Sequence, residues 1–272
     1  MPDFSEKLEK LKDILRNLES ALVSYSGGVD STLLLRLAHE VLGDKVVAVT
    51  VSSEIHPPKE LVKAEKIAES IGVKHIVLVS DELNNPHFIS NTPERCYVCK
   101  KNRFLSLVEK ARELGLKHVI EGSNVDDLDD YRPGLKAVDE LDIRSPLKEV
   151  GMTKEEIRTI SREMGLITWD APSSPCLVTR LPYGVEITYD KLSRIHQAEE
   201  FLKQYGIREL RVRDHGELAR IEVSRVEMQL IIDDNIMQEI VTKFKSLGYR
   251  YITLDMMGFR SGSMNEALRG KG

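Results

Sequence analysis

Two groups of residues in this 272-residue chain have the types and spacing to do chemistry. The first is the string Ser26-Gly27-Gly28-Val29-Asp30-Ser31-Thr32. Adjacent glycines let a backbone turn tightly and approach a ligand closely. Open N–H groups at a following helix N-terminus, aided by Ser and Thr hydroxyls, make an anion site. A bare Gly-Gly would read as a turn and a helix cap; the full string after a short apolar run points to phosphate. No Gly-Lys-Ser/Thr follows, so it is not a Walker loop. The second group is the three cysteines Cys96, Cys99 and Cys176. An odd number without a signal-peptide pattern is a poor disulfide framework. A C-x-x-C with a distant third cysteine is either a metal or sulfur-chemistry site, or a chance pair plus one small buried hydrophobe.

These residues need elements to hold them. Residues 21–25 are short and mostly apolar and run straight into the glycine-rich string, and 33–42 have helical spacing. Residues 46–51 form a near-continuous apolar run, as expected of a strand buried on both faces. Helices are predicted over Pro58–Ile71 and 102–114, and strands over 75–79 and His118–Ile120. An amphipathic helix over 3–19 precedes them, and a helix over 153–164 opens with the capping-box pattern of Thr153 and Glu156. Strands alternating with helices predict an α/β class with a doubly wound parallel sheet.

From 165 to 184 the periodicity stops. Trp169-Asp170-Ala171-Pro172-Ser173-Ser174-Pro175-Cys176 carries two prolines and reads as a loop, yet it holds the third cysteine, which makes it a functional candidate. Helix over 189–204, strands over 209–213 and 219–223, helix over 234–247 and strand over 251–254 then make a smaller α+β lobe. The expected division is 1–168 for the nucleotide domain, 169–187 for a cysteine-bearing linker or active-site loop, and 188–272 for a substrate-binding or oligomerisation domain.

Lys and Arg number 39 against 44 Asp and Glu, a formal net charge of −5, which argues against a general polyanion binder but allows a local basic groove. No window approaches the ~20 consecutive apolar residues of a membrane span. The first residues alternate charged and apolar types without a signal-peptide core, so the expected compartment is the cytoplasm.

The string Ser26 to Thr32 resembles the pyrophosphate loop, S-G-G-x-D-S-T, of the PP-loop ATP pyrophosphatases. Gly122-Ser123-Asn124-Val125-Asp126-Asp127, at a strand end, is similar to that family's G-T-N-x-D-D element. The resemblance implies a loop that holds the leaving pyrophosphate of ATP while a substrate oxygen attacks the α-phosphate, with Asp30 serving a Mg2+. Carboxyl ends of neighbouring parallel strands converge on one crevice, so both motifs can face one nucleotide, with Ser52 and Ser53 near the adenine. Asp129 and Asp130 read as a solvated acidic turn.

An adenylated carboxylate or amide oxygen needs a nucleophile, which in PP-loop enzymes is ammonia, an amine or sulfur, and the three cysteines point to sulfur. Three thiolates can ligate three irons of a [4Fe-4S] cluster and leave the fourth open to an extra sulfide. A zinc site usually closes with four protein ligands and would need a histidine, His87 being the nearest in sequence. Without a metal, Cys176 can itself donate sulfur.

Over nearly its whole length the chain resembles the LarE family, ATP-dependent sulfur transferases of nickel-pincer nucleotide cofactor biosynthesis. Beyond the ATP loop, the likeness rests on Asn91-Thr92-Pro93, Asp130-Tyr131-Arg132-Pro133-Gly134-Leu135-Lys136-Ala137, Cys176 with Arg180, and Pro182-Tyr183-Gly184. It continues in Arg211-Val212-Arg213 and Gly258-Phe259-Arg260-Ser261-Gly262-Ser263-Met264-Asn265. The resemblance implies a pyridinium dicarboxylate mononucleotide as the substrate, its carboxylates becoming thiocarboxylates. In some members the cysteine matching Cys176 gives up its sulfur and is left as dehydroalanine. Those members lack the upstream pair, so Cys96 and Cys99 resemble the cluster-binding branch. Arg180, with Arg211 and Arg213 alternating on one strand, would bind the substrate, the two strand arginines taking its phosphate, although solvated edge arginines are the common alternative. Glu199 and Glu222 align with acidic residues that bind a metal in some members, whereas the third such position is Leu230 here. The segment from Gly258 to Asn265 fits either substrate contact or subunit packing, and family members form homo-oligomers. Two other classes stay open at this point: a PP-loop tRNA thiolase, and a nucleotide-sensing module with a structural zinc.

Overall fold

A computed structural model describes residues 4–128, 133–172, 175–260 and 262–266. The acidic turn read at Asp129 and Asp130, the Asp130-Tyr131-Arg132 portion of one motif, Ser173, Ser174 and Ser261 lie outside the described residues. The chain forms two compact units, one within Met1–Glu82 and Glu94–Ser174, the other within Leu83–Pro93 and Pro175–Gly272.

The elements run α1 (Ser5–Leu18), β1 (Ala21–Ser24), α2 (Val29–Leu42), β2 (Val46–Ser52), α3 (Pro58–Ile71) and β3 (Lys74–Val79). A short α4 (Pro86–Ile89) follows, then α5 (Arg95–Glu113), β4 (His118–Ile120), α6 (Leu135–Glu140), α7 (Pro146–Glu149) and α8 (Lys154–Glu163). The remainder is α9 (Tyr189–Lys203), β5 (Leu210–His215), β6 (Leu218–Val223), α10 (Met228–Ile231), α11 (Asp234–Ser246) and β7 (Tyr251–Leu254).

In the first unit the described residues form a four-stranded parallel sheet in the order β3-β2-β1-β4. Alternate side chains of a strand face opposite ways, and both faces here are covered. Ala21, Val23, Val46 and Ala48 join Leu11, Leu34, Leu37 and Ile67 in one core. Leu22, Val47, Val49 and Val51 join Phe104, Leu107 and Ala111 of α5 in the other. Double coverage is the physical reason for the near-continuous apolar run of β2. The crossovers through α2 and α3 step away from β1 in one direction, and β4 returns to its other side. That reversal is a topological switch point, the place where open α/β sheets bind ligands beyond the carboxyl ends of their strands.

Two helices begin earlier than periodicity predicts. α2 starts at Val29, inside the glycine-rich string, because Val29, Ser31 and Thr32 are already buried while the apolar repeat begins only at Leu33. α5 starts at Arg95 rather than 102 and takes in both Cys96 and Cys99; its first turns bury Arg95 but present no apolar stripe until Phe104. The capping box at α8 forms, with Thr153 accepting from Glu156 N and the Glu156 carboxylate accepting from Thr153 N.

The second unit pairs β5 with β6 antiparallel and β6 with β7 parallel. Leu202, Val212, Ile221, Phe244 and Tyr249 lie at its centre. This unit differs from the expected ranges: the division falls after Ser174, and Leu83–Pro93 belongs with the later residues rather than with 1–168. Hydrogen bonding explains the assignment. Gly184 N donates to Asn91 O at 3.0 Å and Ile187 N to Ile89 O at 2.9 Å. The Asn91 amide donates to Pro182 O at 2.8 Å and Val185 O at 2.7 Å. Asn91 is fully buried with φ 53°, a left-handed conformation that asparagine tolerates better than most residues. Among the described residues no helix is long and apolar enough to cross a membrane.

Replacing Asn91 by Ala removes the donor to two carbonyls and leaves a strained backbone without its favoured side chain. The variant should lose about 2–4 kcal/mol of stability, measured as a lower denaturant midpoint with an unchanged slope.

Candidate active site

The glycine-rich string folds as the turn from β1 into the first turn of α2. Gly27 has φ 72°, and a Cβ there would stand 2.9 Å from the Ala64 Cβ on α3, so both conformation and space demand glycine. Gly28 is the N-cap of α2. The hydroxyls of Ser26 and Ser31 share a hydrogen bond of 2.9 Å, and Ser26 Oγ accepts from Gly28 N at 3.3 Å. The loop is thereby drawn around the positive end of the helix, the arrangement that favours phosphate. Thr32 differs from its expected place at the ligand: only 1% exposed, it contributes packing beneath the loop rather than an open hydroxyl.

The second motif meets the first directly. Gly122, just beyond β4, lies so close to α2 that a Cβ would come within 3.0 Å of Ser31 N and 3.1 Å of Ser31 Cα. Asn124 Nδ2 donates to Asp30 Oδ1 at 3.2 Å. Asp126 N donates to Asn124 Oδ1 at 3.0 Å, and Asn124 N to Asp127 Oδ2 at 3.1 Å, so this acidic pair is ordered by its own loop. Asp126 Oδ2 also accepts from Lys154 N at 2.6 Å. The Lys154 ammonium then reaches across to Asp30 Oδ2. Sequence reading missed Lys154, whose surroundings were legible only as a helix cap.

Behind this junction stands Glu121, 6% exposed, accepting from Ser123 N at 3.1 Å, Ser123 Oγ at 2.8 Å and Ser145 Oγ, and paired with Lys100 at 3.3 Å. Burial opposes its ionisation, but Lys100 and the serine hydroxyls hold the carboxyl below the usual range. Since Lys100 is on α5, the helix carrying Cys96 and Cys99 is tied to the strand end that carries the ATP motif. Ser53 follows β2 at the same end of the sheet and makes a local turn, its hydroxyl accepting from Ile55 N at 3.4 Å. Close by, burial and the Arg103 charge push His56 down to about 3.

For Mg2+ the donor chemistry fits: this ion commonly takes one or two carboxylates and completes its shell with phosphate oxygens and water. Asp30 supplies that carboxylate beside the helix N-terminus. For an iron–sulfur cluster the donors are the three thiols, none of them in a disulfide. Cys96 and Cys99 lie in the first two turns of α5, three residues apart and therefore on one face. Cys99 Sγ donates to Glu82 Oε1 at 3.7 Å, and Glu82 is itself 3.5 Å from Arg103 Nε. Cys176, in the second unit, caps the short 3-10 turn Leu177–Arg180. Among the described residues no three His, Cys, Asp or Glu side chains are gathered around a metal position. The thiols are soft ligands suited to iron, whereas His87, the candidate fourth zinc ligand, is exposed on α4.

In the second unit the arginines expected to bind substrate are engaged with glutamates. Arg180 makes a bidentate pair with Glu199, both contacts at 2.9 Å, and its other arm donates to Pro175 O at 2.9 Å and Cys176 O at 3.1 Å. Arg180 thus holds the backbone on which Cys176 sits. Arg213 donates to Glu222 Oε2 at 2.9 and 2.6 Å, to Thr179 O at 3.1 Å and to Ser263 Oγ at 2.8 Å. Glu222, fully buried, also takes Arg220 at 3.0 Å. Glu199 and Glu222 therefore act here as arginine partners. Arg211 lies over the Phe259 ring at 4.9 Å, and burial with the positive charges of Arg180 and Arg213 pushes it down to about 10. A guanidinium so placed gains from an arriving anion. The segment from Gly258 to Asn265 is packed into the same network, through Phe259, through Ser263 and through Asn265, which accepts from the Tyr183 hydroxyl at 3.0 Å.

Residues 20–176 match the protein family described as queuosine biosynthesis protein QueC. The chain is 38% identical, over 98% of its length and 97% of the relative's, to pyridinium-3,5-bisthiocarboxylic acid mononucleotide synthase of Lactiplantibacillus plantarum. The chain belongs to the LarE family. It is an ATP-dependent enzyme of the PP-loop class. It is also similar to the uncharacterized proteins slr1717 of Synechocystis, 44% identical over 96% of the chain and 98% of the relative, and MJ0830 of Methanocaldococcus jannaschii, 33% identical over 95% and 99%.

Two outcomes follow from these placements. Glu199→Gln leaves the buried Arg180 charge uncompensated and should cost about 3–5 kcal/mol by chemical denaturation. His56 is neutral when folded down to about 3, whereas the unfolded imidazole takes up its proton near 6.5. The unfolded state binds more protons between those values, so stability is full above pH 6.5 and declines as pH falls. His56→Gln should remove up to about 1.4 kcal/mol per pH unit of that decline, read from melts at pH 7.5 to 5.

Proposed function

We propose that this enzyme converts a carboxylate of pyridinium-3,5-biscarboxylic acid mononucleotide into a thiocarboxylate for nickel-pincer cofactor synthesis. The observation that carries the reading is the hydrogen-bonded joining of the two ATP motifs through Asp30 and Asn124, in a chain nearly coextensive with the named synthase. ATP binds with its phosphates at the start of α2, cradled by Ser26, Gly27, Gly28 and Ser31, and Ser53 lies toward the adenine. A substrate carboxylate oxygen attacks the α-phosphorus, the bond to the β-phosphate oxygen breaks, and pyrophosphate leaves as an acyl-adenylate forms. Asp30 would hold a Mg2+, which would supply positive charge to the departing phosphates. Sulfur then attacks the acyl carbon, and AMP leaves with the electron pair of the broken C–O bond.

Arg211 takes the substrate's phosphate, which relieves the crowding of positive charge around it. Arg180 and Arg213 support that site from within their carboxylate pairs, and Arg180 also orients Cys176. Cys96, Cys99 and Cys176 would be the ligands of a [4Fe-4S] cluster, which would supply an open iron able to carry sulfide. The full-length relationship makes a homo-oligomer in the cytoplasm part of the same proposal.

Iron and sulfide analysis of anaerobically reconstituted protein tests the sulfur source. The wild type should bind about four irons per chain, and Cys96→Ala should lose most of them together with repeated turnover. Mass spectrometry after one turnover should find Cys176 intact. Its conversion to dehydroalanine would replace cluster-borne sulfide by sacrificial donation.

A further inference from the structure

Among the described residues of the first unit two carboxylates are buried, Glu82 and Glu121. Glu121 is satisfied by Ser123, Ser145 and Lys100. Glu82, 3% exposed, is engaged through one oxygen: Oε1 accepts from Cys99 Sγ at 3.7 Å and lies 3.5 Å from Arg103 Nε. Among the described residues neither Glu82 Oε2 nor Arg103 Nε has a hydrogen-bond partner, although both atoms are closed off from water. Polar atoms left so in an interior cost stability and call for a reason.

Cys99 and Arg103 stand four residues apart on α5, hence on one face of the helix. Arg103 is fixed at its far end, where Nη2 donates to Val51 O in β2. Sulfur, carboxylate and guanidinium thus form one chain of contacts. In the metal-free protein the thiol proton serves Glu82. A sulfur that binds iron does so as a thiolate, its proton passing to solvent, and it then faces a carboxylate of like charge where water cannot screen the two. Arg103 is the cation that makes this juxtaposition tolerable, and the spare Glu82 oxygen and Arg103 Nε let the ion pair tighten when the thiol proton is gone. We propose that Glu82 and Arg103 are positioning residues for the Cys99 sulfur: the carboxylate fixes where the sulfur sits, and the guanidinium offsets the carboxylate's charge so that the sulfur can ligate iron. The assignment rests on the cluster reading given above. Groups one shell out from a metal ligand orient it and set the charge the metal feels.

The test is an anaerobic redox titration of the reconstituted protein, followed by electron paramagnetic resonance of the reduced cluster, in wild type, Glu82→Gln, Arg103→Gln and Arg103→Lys. Reduction adds negative charge, so a neighbouring carboxylate opposes it and a guanidinium favours it. At a fixed applied potential Glu82→Gln should raise the ratio of reduced to oxidised cluster about tenfold, a midpoint about 59 mV higher for one electron. Arg103→Gln should lower the same ratio about tenfold, and Arg103→Lys, which keeps the charge, should restore most of it. A pair that only closes its loop would lower the melting temperature in the neutral variants and leave both midpoints in place. Unmoved midpoints in Glu82→Gln and Arg103→Gln, or shifts of the same sign, would overturn the assignment. If Arg103→Gln shows no folded melting transition, Glu82→Gln decides: a raised midpoint supports the assignment and an unmoved one overturns it. Wild type that takes up no iron would refute the cluster and this assignment together. Wild type that loads a cluster but makes no thiocarboxylate would refute the proposed function alone, and the midpoints would still decide the roles of Glu82 and Arg103.

Discussion

The Asp30 carboxylate is the point on which the first unit turns. It receives Asn124 from the β4 end and Lys154 from the start of α8, while itself standing in the opening turn of α2. Three segments far apart in sequence are thereby brought to one helix N-terminus. A carboxylate in that position is stabilised by the helix dipole. On the proposed ATP reading, the same location would let it share a cation with phosphate, so one carboxylate would serve both the fold and the nucleotide. The close approach of Gly122 to Ser31 makes this possible, since any side chain at Gly122 would push the two motifs apart.

A comparable economy governs the second unit. Arg180–Glu199 and Arg213–Glu222 are nearly excluded from water. Buried pairs of this kind often add little net stability, because desolvation cancels much of the attraction. Their value is geometric. Each guanidinium uses its remaining donors on backbone or hydroxyl oxygens, which pins the Pro175 and Cys176 carbonyls, the Thr179 carbonyl and Ser263. Arg211 is left under the combined field of its neighbours and stacked on Phe259, a cation prepared for an anion.

Much of the fold was legible because burial leaves a periodic trace. The runs that became β2, β4 and β7, and the stripe of α3, were readable to within a residue or two, since each faces one or two packed layers. The starts of α2 and α5 were not. There the buried residues are Val29, Ser31, Thr32 and Arg95, a single apolar side chain among polar ones, which carries no apolar period. Lys154 and Glu121 escaped for a related reason: their roles depend on partners far along the chain. For Arg180 and Arg213 the residue type was read as a ligand contact, whereas their carboxylate partners come from other elements.

Residue types and spacing alone specified the chemistry available: a glycine string of the phosphate-binding kind, an Asn-Asp element at a strand end, and three thiols with no disulfide pattern. Local composition suffices for this, because the turn at Gly27–Gly28 and the cap of α2 are short-range properties. Which groups share a partner was set by the three-dimensional packing. Asp30 with Lys154, Arg180 with the Cys176 carbonyl, and Leu83–Pro93 with the second unit are long-range pairings. They are set by where the packed sheets bring the chain back upon itself, and no local pattern encodes that return.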